Sequence, residues 1–318
     1  ENGLMEYDQS SARNYIEYRS MRDRERNAGS SLSKAIKSII NADDPILMTE
    51  NANVASTTFS GNRHLIVSEV CKELAKDILP KEVWEAHKSG DIHYHDLTNA
   101  PALPQVNCCL VDVAGMFEHG FTLGSAVINK PRSVGVGANI IAQIVNQVSS
   151  ANYGGTTIDH IDTLLVPYIR MSYNKHFQTG LKYGIANPEA YAMELTEKEV
   201  EDAAQSLEFE VNSLINASAQ IPFVTVAFGM EKSWDGRLVQ KAILHQRMKG
   251  LGDGIIAIFP KLNFYMEDGL NLKPEDPNYD VKQLALQCMT KAMYPDIISV
   301  ANIKKITGFS KKPISSMG

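Results

Sequence analysis

Cysteine is scarce in this 318-residue chain, which has four: Cys71, Cys108, Cys109 and Cys288. Two of them are neighbours, and adjacent cysteines rarely pair with each other, so there is no disulfide framework and a reducing, cytoplasmic setting is expected. Positive charge is not in excess either. A formal net charge of -6 and a pI near 5.8 argue against a nucleic-acid-binding face or an anionic-membrane surface. Small anions are still allowed, because backbone amides bind them whatever the overall charge. No run approaches the ~18 consecutive apolar residues of a spanning helix, and no signal or transit sequence opens the chain. Position 1 is Glu, so native residues are expected upstream of it.

Apolar residues make up 44% and charged residues 21%, enough to build a sizeable core in one large domain or two ordinary ones. Internal repeats and low-complexity segments are absent. Residues 1–45 stand apart. The segment 15–26 is a charged helix with little core-forming face, and Asn27-Ala28-Gly29-Ser30-Ser31 marks a break. The main domain is expected over residues 46–318.

Within it, Ile66, Val70, Leu74 and Ile78 stand four apart on a helix over 63–79 that Pro80 closes, and a short helix over 81–88 stops at Gly90. Residues 91–96 and 106–113 read as short buried strands. Helices follow over 133–150, ended by Gly154-Gly155, and over 159–177. Thr196-Glu197-Lys198-Glu199 reads as a capping box that opens a long helix through Ile215. A strand over 222–229, a helix over 235–249, a strand over 255–266 and a helix over 281–293 complete the pattern. Strands alternating with crossover-length helices predict an α/β fold with a largely parallel sheet, open or closed into a barrel.

Three groups of residues carry chemistry. In Asp91-Ile92-His93-Tyr94-His95-Asp96, a strand would turn His93 and His95 to one face, where two imidazoles could ligate a metal as in barrel metallohydrolases. The plain alternative is a hydrogen-bonded core histidine, and the other histidines offer no ligand-type spacing. In Val106-Asn107-Cys108-Cys109, a strand sends the two thiols to opposite faces, so at most one looks into a given site, and a buried Asn107 amide needs a defined partner. The glycine-rich pieces at 135–137, 154–155 and 250–254 match no phosphate-loop or dinucleotide fingerprint and are assigned to turns.

Taken in order, several short segments resemble the anaerobic (class III) ribonucleoside-triphosphate reductases, a glycyl radical enzyme family. They are Glu50-Asn51-Ala52-Asn53, then Ala86-His87-Lys88-Ser89-Gly90-Asp91-Ile92-His93-Tyr94-His95-Asp96-Leu97, and Asn107-Cys108-Cys109-Leu110-Val111-Asp112. Lys130-Pro131-Arg132-Ser133, Tyr153-Gly154-Gly155, Phe259-Pro260-Lys261-Leu262 and Tyr294-Pro295-Asp296 continue the set. The resemblance implies the N-terminal part of a ten-stranded α/β barrel made of two antiparallel five-stranded halves. It also implies reduction of a ribonucleoside triphosphate: a thiyl radical takes the 3′-hydrogen, and the neighbouring radical eases loss of the 2′-hydroxyl as water. By this resemblance Cys108 donates a proton to the departing hydroxyl, Cys109 packs, His93 lies near the ribose, and Asn107 orients the strand or a substrate hydroxyl.

The resemblance further implies a deoxynucleoside triphosphate effector on helices 133–150 and 158–178 of a homodimer, with Gln143 reading the base and Lys175 meeting phosphate. It carries an ATP-cone, whose exit helix matches 15–26, and a radical-SAM activase. The reductant is formate or a small thiol protein, and the family holds a glycyl radical and a four-cysteine zinc site. Lys312-Pro313-Ile314-Ser315-Ser316-Met317-Gly318 resembles the segment just before the thiyl cysteine, so that cysteine, the radical glycine and the zinc cysteines are expected beyond residue 318, and the chain as written is expected not to turn over. Two other classes stay open: a metallohydrolase using His93 and His95, and a nucleotide-binding or dimerisation module without catalysis. Other glycyl radical enzymes share a related barrel; the His-Tyr-His-Asp and Asn-Cys-Cys segments point away from them.

Overall fold

The computed structural model describes residues 15, 32–43, 58–103, 106–152, 154–308 and 314. The segments 16–31 and 50–53, Tyr153, and the terminal segment apart from Ile314 lie outside the described residues, as does the boundary expected at 45/46. The chain divides into two compact units, Glu1–Pro104 and Gln105–Gly318. Among the described residues, no helix is long and apolar enough to cross a membrane.

The first unit contains helices α1 (Leu32–Asn41), α2 (Phe59–Ile78) and α3 (Lys81–Ser89), with α2 packed on both of the others. Thr58 caps α2, its hydroxyl accepting from Gly61 N–H at 3.0 Å. The face of α2 that is buried carries Leu65, Ser68, Cys71 and Ala75, whereas Leu74 and Ile78 of the expected stripe are about half exposed. Three of these four residues are small, which suits a face packed on a neighbouring helix.

Residues 91–96 are not a strand. Gly90 takes the left-handed conformation (φ 87°) that ends α3, and the Asp91 and Ile92 amides turn back to the Ala86 carbonyl at 2.9 and 3.2 Å. These bonds use the donors a strand would offer to a neighbour, and Asp96 at φ 59° closes the segment as a turn.

The second unit is built on a five-stranded, wholly parallel sheet in the order β1-β4-β5-β6-β7. The strands are β1 (Cys109–Leu110), β4 (Thr156–Ile158), β5 (Val224–Phe228), β6 (Lys261–Met266) and β7 (Asp296–Ser299), and β2 (Phe121–Leu123) pairs with β3 (Ala126–Ile128) in a separate hairpin. Helices α4 (Val113–His119), α5 (Val134–Ser149), α6 (Ile161–Lys182), α7 (Pro188–Ser213), α8 (Trp234–Lys249), α9 (Tyr279–Ala292) and α10 (Val300–Thr307) connect or follow them. This is the α/β architecture expected from the pattern.

Alternation gives the sheet two faces. Ile158, Val224, Val226, Phe228, Leu262 and Phe264 join the main core with residues of α5 to α9. The opposite face carries Thr157, Thr225, Asn263 and Tyr265, all buried, and Ala227 and Tyr265 belong to a separate small cluster with Val300.

Three of the elements expected in this unit differ in extent. α7 begins eight residues before Thr196, because Asn187 caps it (Oδ1 accepting from Ala190 N–H at 3.0 Å) and Pro188 suits the first helical position. Thr196 is buried in mid-helix, its hydroxyl donating to the Ala192 carbonyl at 2.6 Å. Only Cys109 and Leu110 of residues 106–113 pair as strand, because Asp112 caps α4 by accepting from Gly115 N–H at 3.0 Å. Residues 255–260 lie outside the ladder: the Ile255 carbonyl accepts from Leu251 N–H in a tight turn, and Pro260 has no N–H to give.

Candidate active site

The best-defined candidate lies where the chain enters β1 beside the chain entering β4. The Gly154 N–H donates to the Asn107 carbonyl at 2.7 Å, and Cys109 N–H donates to the Gly155 carbonyl at 2.9 Å. These bonds lock the two segments together. A Cβ on Gly154 would stand 2.0 Å from Asn107 Oδ1 and 2.3 Å from its carbonyl oxygen, so only glycine allows this approach. At Gly154 the turn reading therefore gives way to a close-approach one.

Cys108 sits inside that contact. Its sulfur accepts the Gly155 N–H at 3.5 Å, and its S–H donates to Asn107 Oδ1 at 3.6 Å. Cys108 is exposed and Cys109 half-buried, so the two thiols have different surroundings, as alternation implies. Asn107 is exposed rather than buried, yet its amide oxygen still has the defined partner expected of it. Cys71 and Cys288 are different in kind. Burial pushes both thiols up, Cys288 to about 11, which keeps them as inert core groups.

At the other end of β4 lies a cluster that the sequence reading missed. Tyr265 donates its hydroxyl to Asp159 Oδ1 at 2.9 Å, and the same oxygen accepts the His160 N–H at 2.8 Å. The His160 ring stacks on Tyr265 with centroids 5.1 Å apart, and His160 holds a left-handed backbone (φ 51°) at the start of α6. Asp159 and His160 follow the carboxyl end of β4, the position where parallel α/β sheets present ligand-facing groups. An Asp-His pair directly after a strand was the available signal.

His93 lies in the first unit, with Asn107 and Cys108 in the second. His93 is exposed, its ring 5.8 Å from His87 and 6.0 Å from His95, and His95 Nδ1 pairs with the Asp96 carboxylate. The strand that was to set His93 and His95 on one face is not there, so the metallohydrolase reading loses its premise. Among the described residues no group of three or more His, Cys, Asp or Glu is placed to hold a metal ion.

Gln143 and Lys175 are exposed on α5 and α6, two helices that pack on each other. The helical layer they belong to is tied by polar links. His176 Nε2 meets Glu199 at 2.9 Å, Arg170 Nε donates to Asp235 at 2.5 Å, and Arg247 Nε donates to Glu208 at 2.6 Å.

Comparison with solved structures gives the class. A crystal structure of the anaerobic ribonucleotide reductase from Thermotoga maritima, in complex with dATP and CTP, aligns with a TM-score of 0.51 at 16% identity, covering 87% of this chain and 49% of that one. A second structure, of an anaerobic ribonucleotide reductase, aligns with a TM-score of 0.52 at 16% identity over 90% of this chain and 48% of that one. The fold is thus that of the anaerobic ribonucleotide reductases. Sequence carries the assignment further. The family model for anaerobic ribonucleoside-triphosphate reductase matches residues 50–318. The enzyme of that name from Enterobacteria phage T4 is 50% identical over 288 residues, 90% of this chain and 47% of the phage protein. The one from Escherichia coli is 47% identical over 305 residues, 95% of this chain and 43% of its own length. The chain belongs to the anaerobic ribonucleoside-triphosphate reductase family, and it spans less than half the length of these relatives.

Proposed function

We propose that the chain serves the reduction of ribonucleoside triphosphates to deoxyribonucleoside triphosphates, with Cys108 as the thiol that protonates the departing 2′-hydroxyl. The observation that carries this is the thiol itself. In a chain of this family, Cys108 stands exposed where the chain enters β1, with a donor on its sulfur and an acceptor for its proton. A hydroxide leaving group is poor, and a positioned acid lowers the barrier to its loss as water. Cys109 packs, Asn107 orients the strand or a substrate hydroxyl, and His93 serves the substrate ribose. The glycyl and thiyl radicals supply hydrogen-atom abstraction, and no residue of this chain is assigned to either. Nor do the described residues fit a zinc site, so no step runs through the metal.

The working protein is a cytoplasmic homodimer activated by a radical-SAM partner and reduced by formate or a small thiol protein. It supplies deoxyribonucleotides for DNA replication, under control by ATP and deoxynucleoside triphosphates. Gln143 and Lys175 offer an exposed amide and an exposed ammonium on adjacent helices to an effector's base and phosphates. The test uses the protein at the full length of its relatives, activated without oxygen and supplied with a ribonucleoside triphosphate. Cys108→Ala is expected to form no deoxyribonucleotide; full product from that variant would overturn the role of Cys108. Titration with deoxynucleoside triphosphates should show saturable binding that Lys175→Ala weakens.

A further inference from the structure

We propose that Asn107, Gly154 and Gly155 form one positioning device that fixes the direction of the Cys108 S–H bond. The inference rests on reading Cys108 as the proton-donating thiol, which gives the device its purpose. An exposed thiol left alone rotates freely about its Cβ–Sγ bond, because sulfur is a weak acceptor and S–H a weak donor. Here both roles are filled from fixed points. The Gly155 N–H meets the sulfur at 3.5 Å and Asn107 Oδ1 receives the proton side at 3.6 Å.

The fixed points are themselves held. The Gly155 carbonyl accepts from Cys109 N–H at 2.9 Å and from the buried Asn152 Nδ2 at 3.2 Å, which sets the peptide unit beside Cys108. Asn107 lies against the bare Cα of Gly154, where any Cβ would come within 2.0 Å of its amide oxygen. A side chain at 154 must therefore displace Asn107 and release the thiol proton. Gly154 acts on Cys108 through Asn107, as a positioning residue and not a catalytic one. An amide oxygen orients a proton without taking it, and a departing hydroxyl is the stronger acceptor.

The S–H stretching band reads this directly. A Raman difference spectrum between the protein and its Cys108→Ser variant isolates one thiol of the four. The band should be broad and low, as for a hydrogen-bonded donor. In Asn107→Ala it should sharpen and move to higher wavenumber. Gly154→Ala should do the same while retaining the Asn107 side chain. Gly135→Ala, whose added Cβ would meet only Glu199 Oε1 at 3.8 Å, should leave the band in place. Circular dichroism checks that each variant is folded. An unshifted band in Asn107→Ala overturns the device even if Gly154→Ala does not fold, and an unshifted band in folded Gly154→Ala removes Gly154 from it. Neither result touches the reductase reading, which turns on product formation by Cys108→Ala.

Discussion

Replacing Arg247 by Met should cost the second unit more than any surface change. Arg247 is fully buried, with its Nε on Glu208 at 2.6 Å, its Nη2 on the Pro260 carbonyl at 2.5 Å, and its Cζ 5.6 Å from the Tyr294 ring centre. It ties α8 to α7 and to the loop that enters β6. Burial pushes the Glu208 carboxyl above its ordinary range, and Arg247 draws it only part of the way back. Without Arg247 that carboxyl has burial and no cation. Breaking a buried pair from one side costs roughly 3–5 kcal/mol. For a unit of about 200 residues this lowers the melting temperature by roughly 6–20 °C.

The pH dependence has a definite sign. Glu208 titrates in the fold above its ordinary value of 4.5, so its contribution is fully present below that value and is lost as pH rises through the raised pKa. Removing Arg247 raises that pKa further, so the deficit of Arg247→Met against the parent grows from acid pH toward neutrality. Pairing Arg247→Met with Glu208→Leu removes both charges and leaves chiefly the Pro260 carbonyl unpaired, a cost of about 1–3 kcal/mol. Thermal unfolding of the parent, both single variants and the double variant at two pH values gives the coupling. A single-variant loss below about 1 kcal/mol, as for an exposed pair, would refute the account. So would a double-variant loss equal to the sum of the singles.

Asp235 is the opposite case. Burial alone would raise its carboxyl, but hydrogen bonds from Ser233, Arg170 and the Gly236 amide, with the Arg170 charge, hold it below the ordinary carboxylate value of 3.8. Its stabilisation is present above that value and is lost as pH falls through the lowered pKa, so Arg170→Met should move the acid unfolding midpoint to higher pH, read by circular dichroism; an unmoved midpoint counts against the pair. Asn187→Ala should lower stability by about 1 kcal/mol through loss of the α7 cap. Urea denaturation measures it, and an unchanged midpoint would move the start of α7 elsewhere.

Helices α5, α6, α8 and α9 and strand β5 were legible in the sequence, α5 from the spacing of Val134, Ala138, Ile141, Val145 and Val148 and β5 from its β-branched and aromatic run. Period failed where a local bond outranked it. Ile92 and Tyr94 alternate with polar residues, yet the left-handed Gly90 and the amides turned back to Ala86 make a turn. Thr196 and Glu199 have the letters of a capping box, but Asn187-Pro188 opens the helix first and Glu199 is engaged by His176. In α2 the small Ser68, Cys71 and Ala75 face inward with Leu65 while Leu74 and Ile78 do not, a choice set by the neighbouring helix and absent from the segment itself. The candidate site was legible only in part. Asn107 and Cys108 stood out as residue types, while the Gly155 donor and the Asp159–Tyr265 contact join residues 47 and 106 positions apart, beyond any local pattern.

The parallel sheet has a kinetic consequence. None of its strand pairs is joined by a tight turn, so each pairing closes a long loop before it returns any contact energy. The helical pair α6 and α7, adjacent in sequence and packed on each other, has no such delay. During folding the Cys108 thiol therefore stays an unclamped, freely rotating group until β1 meets β4, and the moment at which it is captured marks completion of that edge of the sheet.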